Sequence, residues 1–227
     1  PGFSNKPCAT LVDKLVSIQD PRLERWVLPV VRQWDDTVTE PTPLDYVNIY
    51  GEPQDVTRVP PIAGNTLPID YSLYVGLPPG LAGSIALGYN KGGDVTQFPS
   101  EGSPYISFLH GRYRENVEDY VKVRLMTYSE VEFLLAEAAL KGDFGISGGA
   151  DVHYQNAIKA SWDDYGVDLA NSGNDFTAYY SNQDVDLNGA TDKLERIISQ
   201  KWISGWMGIE SWFDWRRTGY PDLQTGP

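Results

Sequence analysis

Gln200-Lys201-Trp202-Ile203, followed a few residues on by Trp212-Phe213-Asp214-Trp215-Arg216-Arg217-Thr218-Gly219-Tyr220-Pro221, decides how this chain is read. Trp202, Trp206, Trp212 and Trp215 are more large aromatics than an ordinary surface helix carries, so most are expected in a core or an interface. Leu194, Ile197, Ile198 and Trp202 recur at helical spacing, and Gly-Tyr-Pro is a stop signal. Upstream, Met126-Thr127-Tyr128-Ser129-Glu130 opens a second helix. Thr127-x-x-Glu130 is a capping box, and Val131, Leu134, Leu135 and Ala138 form an i, i+3, i+4, i+7 stripe. Glu137 and Lys141 sit at i, i+4 in the favourable order, and Gly142 supplies the C-terminal stop. Between these helices, Tyr154, Ala157, Ile158, Trp162 and Tyr165 share one face of a helix ending at Gly166, and a shorter helix starts near Asp175. Leu134, Leu135, Ala138, Ile158, Ile197, Ile198 and Trp202 are expected to be buried together.

The first half has a different texture. Fourteen of the 16 prolines fall at or before Pro104, and none lies between Tyr105 and Tyr220. Proline disrupts helix interiors and sheet ladders, so this half is expected to be irregular, with short strands at most from about Arg25 to Tyr113. The exception is Thr10 to Ile18, where Leu11, Leu15 and Ile18 share a face, Thr10 can cap and Asp20-Pro21 ends the helix. The organisation predicted is a single domain fragment, loop-rich over 1–113 and helical over 114–227. The class is mainly α, and helices of this length joined by loops resemble stacked helical hairpins of the tetratricopeptide type, without a clear repeat consensus.

Composition excludes several functions. A net charge of −13 argues against nucleic-acid backbones and against electrostatic docking on anionic lipid. Cys8 is the only cysteine, which rules out an internal disulfide and a cysteine metal cluster, and it reads as a buried small residue. His110 and His153 lack the HExxH spacing of zinc hydrolases, and there is no P-loop. Glu210 and Asp214 form an i, i+4 carboxylate pair, but Arg216-Arg217 beside them makes ion pairing the simpler reading than catalysis.

Two features point to ligands. Asp184-Val185-Asp186-Leu187-Asn188-Gly189-Ala190-Thr191-Asp192-Lys193-Leu194-Glu195 satisfies the calcium-loop pattern D-x-[DN]-x-[DN]-G-x5-E. Asp184, Asp186 and Asn188 would give side-chain oxygens, Ala190 a carbonyl, Asp192 a water-mediated contact and Glu195 both its oxygens to Ca2+. Thr191 departs from the aliphatic residue expected there, and Asp192-x-x-Glu195 reads equally well as a capping box for the following helix. The second feature is the aromatics threaded through the loop-rich half. Trp34, Tyr46, Tyr50, Tyr71 and Tyr74 are the candidates for stacking on a sugar ring or lining a peptide groove. The alternative is that they anchor the loops to the helical body.

The Met126–Ala138 and Gln200–Pro221 segments, with shorter echoes at Asp20-Pro21-Arg22-Leu23 and Tyr74-Val75-Gly76-Leu77-Pro78-Pro79-Gly80, resemble the SusD/RagB family in the family's order. The resemblance implies a tetratricopeptide-like helical fold and a non-enzymatic, surface-exposed outer-membrane lipoprotein. Such a protein would bind a glycan or peptide and pass it to a SusC-like TonB-dependent transporter. It further implies that the chain is a fragment lacking both ends, with the lipid-bearing N-terminus elsewhere. Two other classes stay open: a helical scaffold for protein partners and, with two carboxylates facing one cleft, a glycoside hydrolase.

Overall fold

The computed structural model describes residues 6–30, 69–79, 106–110, 113, 124–142, 144–167 and 175–223. The chain divides into two compact units, residues 1–121 with 223–227, and residues 122–222. Among the described residues there are seven α-helices, one 3-10 turn and one pair of two-residue strands. No helix among them is long and apolar enough to cross a membrane.

In the first unit, helix α1 (Ala9–Ser17) buries Ala9, Leu11, Val12 and Leu15. Its N-cap is Cys8 rather than Thr10, and Cys8 is exposed, so the expectation of a buried cysteine is corrected. The reason is the register: Ala9 faces inward, which turns the residue before it outward. The helix ends at Gln19, which takes the left-handed conformation (φ 53°), and Asp20 N–H closes the turn onto the Leu15 carbonyl at 2.9 Å. Asp20 then accepts from the Arg22 backbone N–H at 2.9 Å and forms an ion pair with the Arg22 guanidinium at 2.5 Å, both side chains fully buried. This starts α2 (Arg22–Trp26), which leads straight into β1 (Val27–Leu28).

β1 pairs antiparallel with β2 (Phe108–Leu109), Val27 opposite Leu109 and Leu28 opposite Phe108. The segment after the 3-10 turn Tyr71–Leu73 is threaded between these pieces. Leu73 O accepts from Val30 N–H and Val75 O from Ser107 N–H, each at 2.8 Å. Leu77 bridges to Cys8, with Ala9 N–H donating to Leu77 O at 2.8 Å. At Gly76 a Cβ would lie 2.3 Å from Ala9 Cα, so the Val-Gly-Leu string needs glycine to let the segment lie against the first turn of α1.

The second unit is helical. Helices α3 (Tyr128–Lys141) and α4 (Ala150–Asp164) form a tightly packed hairpin across a short turn, and α6 (Lys193–Ser204) packs on both. The short α5 (Phe176–Tyr180) follows α4, and α7 (Glu210–Thr218) packs on α6. Thr127 caps α3, its hydroxyl accepting from Glu130 N–H at 3.1 Å, and Gly142 ends it in the left-handed conformation, as the sequence predicts. Asp175 and Asp192 cap α5 and α6. Ser129 joins three helices, donating to Ala157 O at 2.7 Å and meeting Ser204 Oγ at 2.7 Å.

The core of this unit contains Phe133, Ala136, Tyr154, Ala157, Ile158, Trp162, Val185, Leu187, Ile197, Ile198 and Ile203. Ile158, Ile197 and Ile198 are buried as expected. The predicted α3 stripe is not the buried face: Leu134 is 41% exposed, and Leu135 and Ala138 are half-buried. The buried face carries Ser129, Glu132, Phe133, Ala136 and Glu137. Two carboxylates take inward positions because each finds cationic partners there, which an apolar periodicity does not register. Trp202 is half-buried and contributes less to the core than predicted.

Candidate functional site

The Arg-Arg-Thr-Gly-Tyr-Pro string is a structural clasp. Arg217 grips Glu137 of α3 through both guanidinium ends, and its Nη2 also donates to Asp214 at 2.9 Å. Lys141 donates to Glu137 at 2.6 Å, and Lys201 of α6 pairs with Asp214 at 2.8 Å. Burial pushes the Glu137 carboxyl up, but the hydrogen bonds from Arg217 and Lys141 outweigh it and hold the group down to about 2. Thr218 donates to Asp214 O at 2.7 Å, Gly219 takes the left-handed cap (φ 78°), and Tyr220 OH donates to Asp192 Oδ2 at 2.7 Å. The string therefore ties α3, α6 and α7 together, and Asp214 is an ion-pair partner, as its arginine neighbours suggest.

Of the five aromatic candidates, Trp34, Tyr46 and Tyr50 lie outside the described residues. Tyr74 is 6% exposed, so in this arrangement it anchors the segment and offers no stacking face. Tyr71 is half-buried, and its hydroxyl donates to the Gln19 carbonyl at 2.7 Å. Burial, reinforced by nearby carboxylates, raises both phenols well above the ordinary tyrosine range, so both stay neutral.

The calcium-loop residues are not gathered as ligands. Val185 and Leu187 are buried and hold the loop down, so Asp184, Asp186 and Asn188 alternate with core residues along it. Asp186 accepts from Asn188 and Gly189 N–H at 2.9 and 3.0 Å, forming its own turn. Gly189 is not among the glycines with positive φ. Asp192 Oδ1 accepts from Leu194 and Glu195 N–H at 2.9 and 3.0 Å, while its Oδ2 takes the Tyr220 hydroxyl. Ala190 is half-buried and Glu195 exposed on the outer side of α6. Among the described residues no three His, Cys, Asp or Glu side chains form a metal-holding group. The capping role of Asp192 is what the geometry supports. Asp192→Ala is expected to lower stability by about 1 kcal/mol, the usual value of an N-cap. Calcium and chelator are expected to leave the melting temperature of the parent chain equal. A calcium-dependent rise abolished by Glu195→Gln would support the metal reading instead.

The late tryptophans are expected in a core or an interface, and the structure leaves Trp212 and Trp215 at the surface. Trp212 is 56% and Trp215 37% exposed, their rings stacked at 5.3 Å and 23° on α7. Phe213, Ile209 and Met207 are exposed beside them. Asp214 is the one buried residue of this helix, because its charge partners lie inward. The signal was the i, i+3 spacing of Trp212 and Trp215 around an inward-facing Asp214.

A helical body tied by ion pairs, bearing exposed stacked aromatics, has the makings of a binding module. The family model described as "Starch-binding associating with outer membrane" matches residues 71–227, and the chain belongs to this SusD-like family. Among solved structures, a chitin-binding protein is 25% identical with a TM-score of 0.56, covering 96% of this chain and 38% of its own. SusD homologues from Bacteroides fragilis and Bacteroides vulgatus are 22% and 23% identical, with TM-scores of 0.60 and 0.58. Each covers 96% of this chain, and the chain spans 40% and 39% of theirs. The chain thus spans about two fifths of the length of these relatives. No curated protein matches it.

Proposed function

We propose that this chain is part of a non-enzymatic, surface-exposed outer-membrane lipoprotein that captures a glycan and delivers it to a SusC-like TonB-dependent transporter. The observation that carries this reading is the match of residues 71–227 to a starch-binding, outer-membrane-associated family. The chitin-binding relative points the same way, to a polysaccharide rather than a peptide. Capture would rest on aromatic faces against the C–H faces of sugar rings, with polar groups reading the hydroxyls. Trp34, Tyr46, Tyr50 and the half-buried Tyr71 remain candidates for that contact. Trp212 and Trp215 join them as the stacked, exposed pair among the described residues.

Titration calorimetry with starch- and chitin-derived oligosaccharides, and with an oligopeptide as control, tests the reading. Each true stacking contact replaced by Ala should weaken glycan affinity about tenfold, or about 1.4 kcal/mol, without lowering the melting temperature. Tyr74→Ala should instead destabilise the fold. Binding of the peptide alone would move the assignment to peptide uptake. Measurable glycan hydrolysis would overturn the non-enzymatic reading.

A further inference from the structure

His153 lies in the first turn of α4 and reaches two different acceptors. Its Nδ1 is 2.7 Å from Glu132 Oε2 on α3, and its Nε2 is 2.9 Å from the Ser147 carbonyl in the turn between the helices. A carbonyl oxygen has no proton to give, so the Nε2 contact requires a proton on that nitrogen. The Nδ1 contact requires one as well if Glu132 is ionised, and its surroundings favour ionisation. Glu132 is 5% exposed, and although burial pushes its carboxyl up, donation from Tyr128, His153 and Asn156 outweighs this and lowers it. Both imidazole nitrogens therefore act as donors, which is the imidazolium form.

We propose that His153 is a pH-sensitive latch, an imidazolium that fastens the α3–α4 turn to the hairpin and releases Ser147 when the ring loses its proton. The neutral ring can keep only one N–H. Retaining it on Nδ1 keeps the charge-assisted bond to the buried Glu132 carboxylate, so the lone pair is left on Nε2, facing the Ser147 oxygen. Gly145 and Gly148 take left-handed conformations, and Ser147 to Gly149 are exposed, so the Ser147 carbonyl can turn to water when the ring no longer donates to it.

The charged group facing the ring from α3 is Glu132, with Tyr128 donating to the same carboxylate; the turn supplies the Ser147 carbonyl. On α4 itself, Asn156 turns to Glu132, and Asp151 is engaged by Tyr180 of α5 and by Gln155. The N-terminal end of α4 opposes a positive ring. Against this, the hydrogen bond to Glu132 raises the imidazole above its ordinary value, with burial opposing and the Ser147 contact assisting. A histidine raised in the folded state stabilises fully below its unfolded value. That contribution is lost as pH rises through the folded value.

Side-chain nitrogen spectra of the 227-residue chain, titrated from about pH 5 upward, test the latch. His153→Asn separates the His153 signals from those of His110. Both ring nitrogens should be protonated at the acid end of the titration, with a midpoint above the ordinary value of about 6.5. The amide signals of Ser147, Gly148 and Gly149 should shift with the same midpoint, and Glu132→Gln should bring that midpoint down. A midpoint at or below the ordinary value would overturn the proposal. So would turn amides that stay fixed while the ring loses its proton. The parent-chain titration decides the matter even if Glu132→Gln fails to fold.

Discussion

Arg22→Ala is expected to destabilise the chain by about 3–5 kcal/mol, the cost of leaving one partner of a buried ion pair alone. Asp20 and Arg22 are both fully buried, and the guanidinium reaches the carboxylate through Nε at 2.9 Å and Nη2 at 2.5 Å. Their joint contribution is small compared with a well-packed apolar pair, because both charges have been taken out of water. Removing the cation alone is a different matter, since Asp20 also accepts the Arg22 backbone N–H that sets the start of α2. Arg22→Lys should be intermediate, because a point charge cannot reproduce the planar fork. Urea unfolding of the three chains provides the comparison. A loss below about 1 kcal/mol in Arg22→Ala would mean that water reaches Asp20 and that the pair is not sealed.

Asp20-Pro21-Arg22-Leu23 carried little meaning as a string, yet it is the corner on which the first unit turns. What made it opaque is that its role lies in the burial of opposite charges two residues apart, and burial is not written in local spacing. The same reason accounts for α3. Thr127, Gly142 and Asp192 were legible as caps because capping is local chemistry, and a helix start was legible near Asp175. The inner face of α3 was not, because Glu132 and Glu137 are buried against His153 and Arg217, distant residues that periodicity cannot supply. Helix α4 was read correctly since its inner face, Tyr154, Ala157, Ile158, Ser161 and Trp162, carries no charged side chain.

The candidate sites fared unevenly for a related reason. The Asp184–Glu195 pattern counts oxygens without their placement, and Asp186 and Asp192 also accept from backbone N–H groups and Tyr220. Tyr71 and Tyr74 were singled out by their place among prolines and glycines, a place that serves an anchoring residue equally well. Family membership was legible in the Met126–Ala138 and Gln200–Pro221 strings, which contain the clasp residues Glu137, Asp214, Arg217, Thr218 and Tyr220.

Trp162→Ala is expected to cost about 3–5 kcal/mol, and Trp202→Ala clearly less, about 1–2 kcal/mol. Both tryptophans lie on predicted stripes, but the structure separates them. Trp162 is fully buried, with its ring 5.4 Å from Phe176 and 5.0 Å from Tyr179 in edge and tilted contacts. Truncation there removes the largest side chain of α4 and leaves a cavity between α4 and α5 that a five-residue helix cannot close by itself. The Trp162 Nε1–H has no hydrogen-bond partner among the described residues, so Trp162→Phe forfeits volume but no hydrogen bond and should recover most of the loss. Trp202 is half-buried on α6, and water already meets part of the surface that truncation would expose. Equal losses for the two alanine variants would mean that Trp202 is covered in solution, and the helical core would then extend over the exposed side of α6.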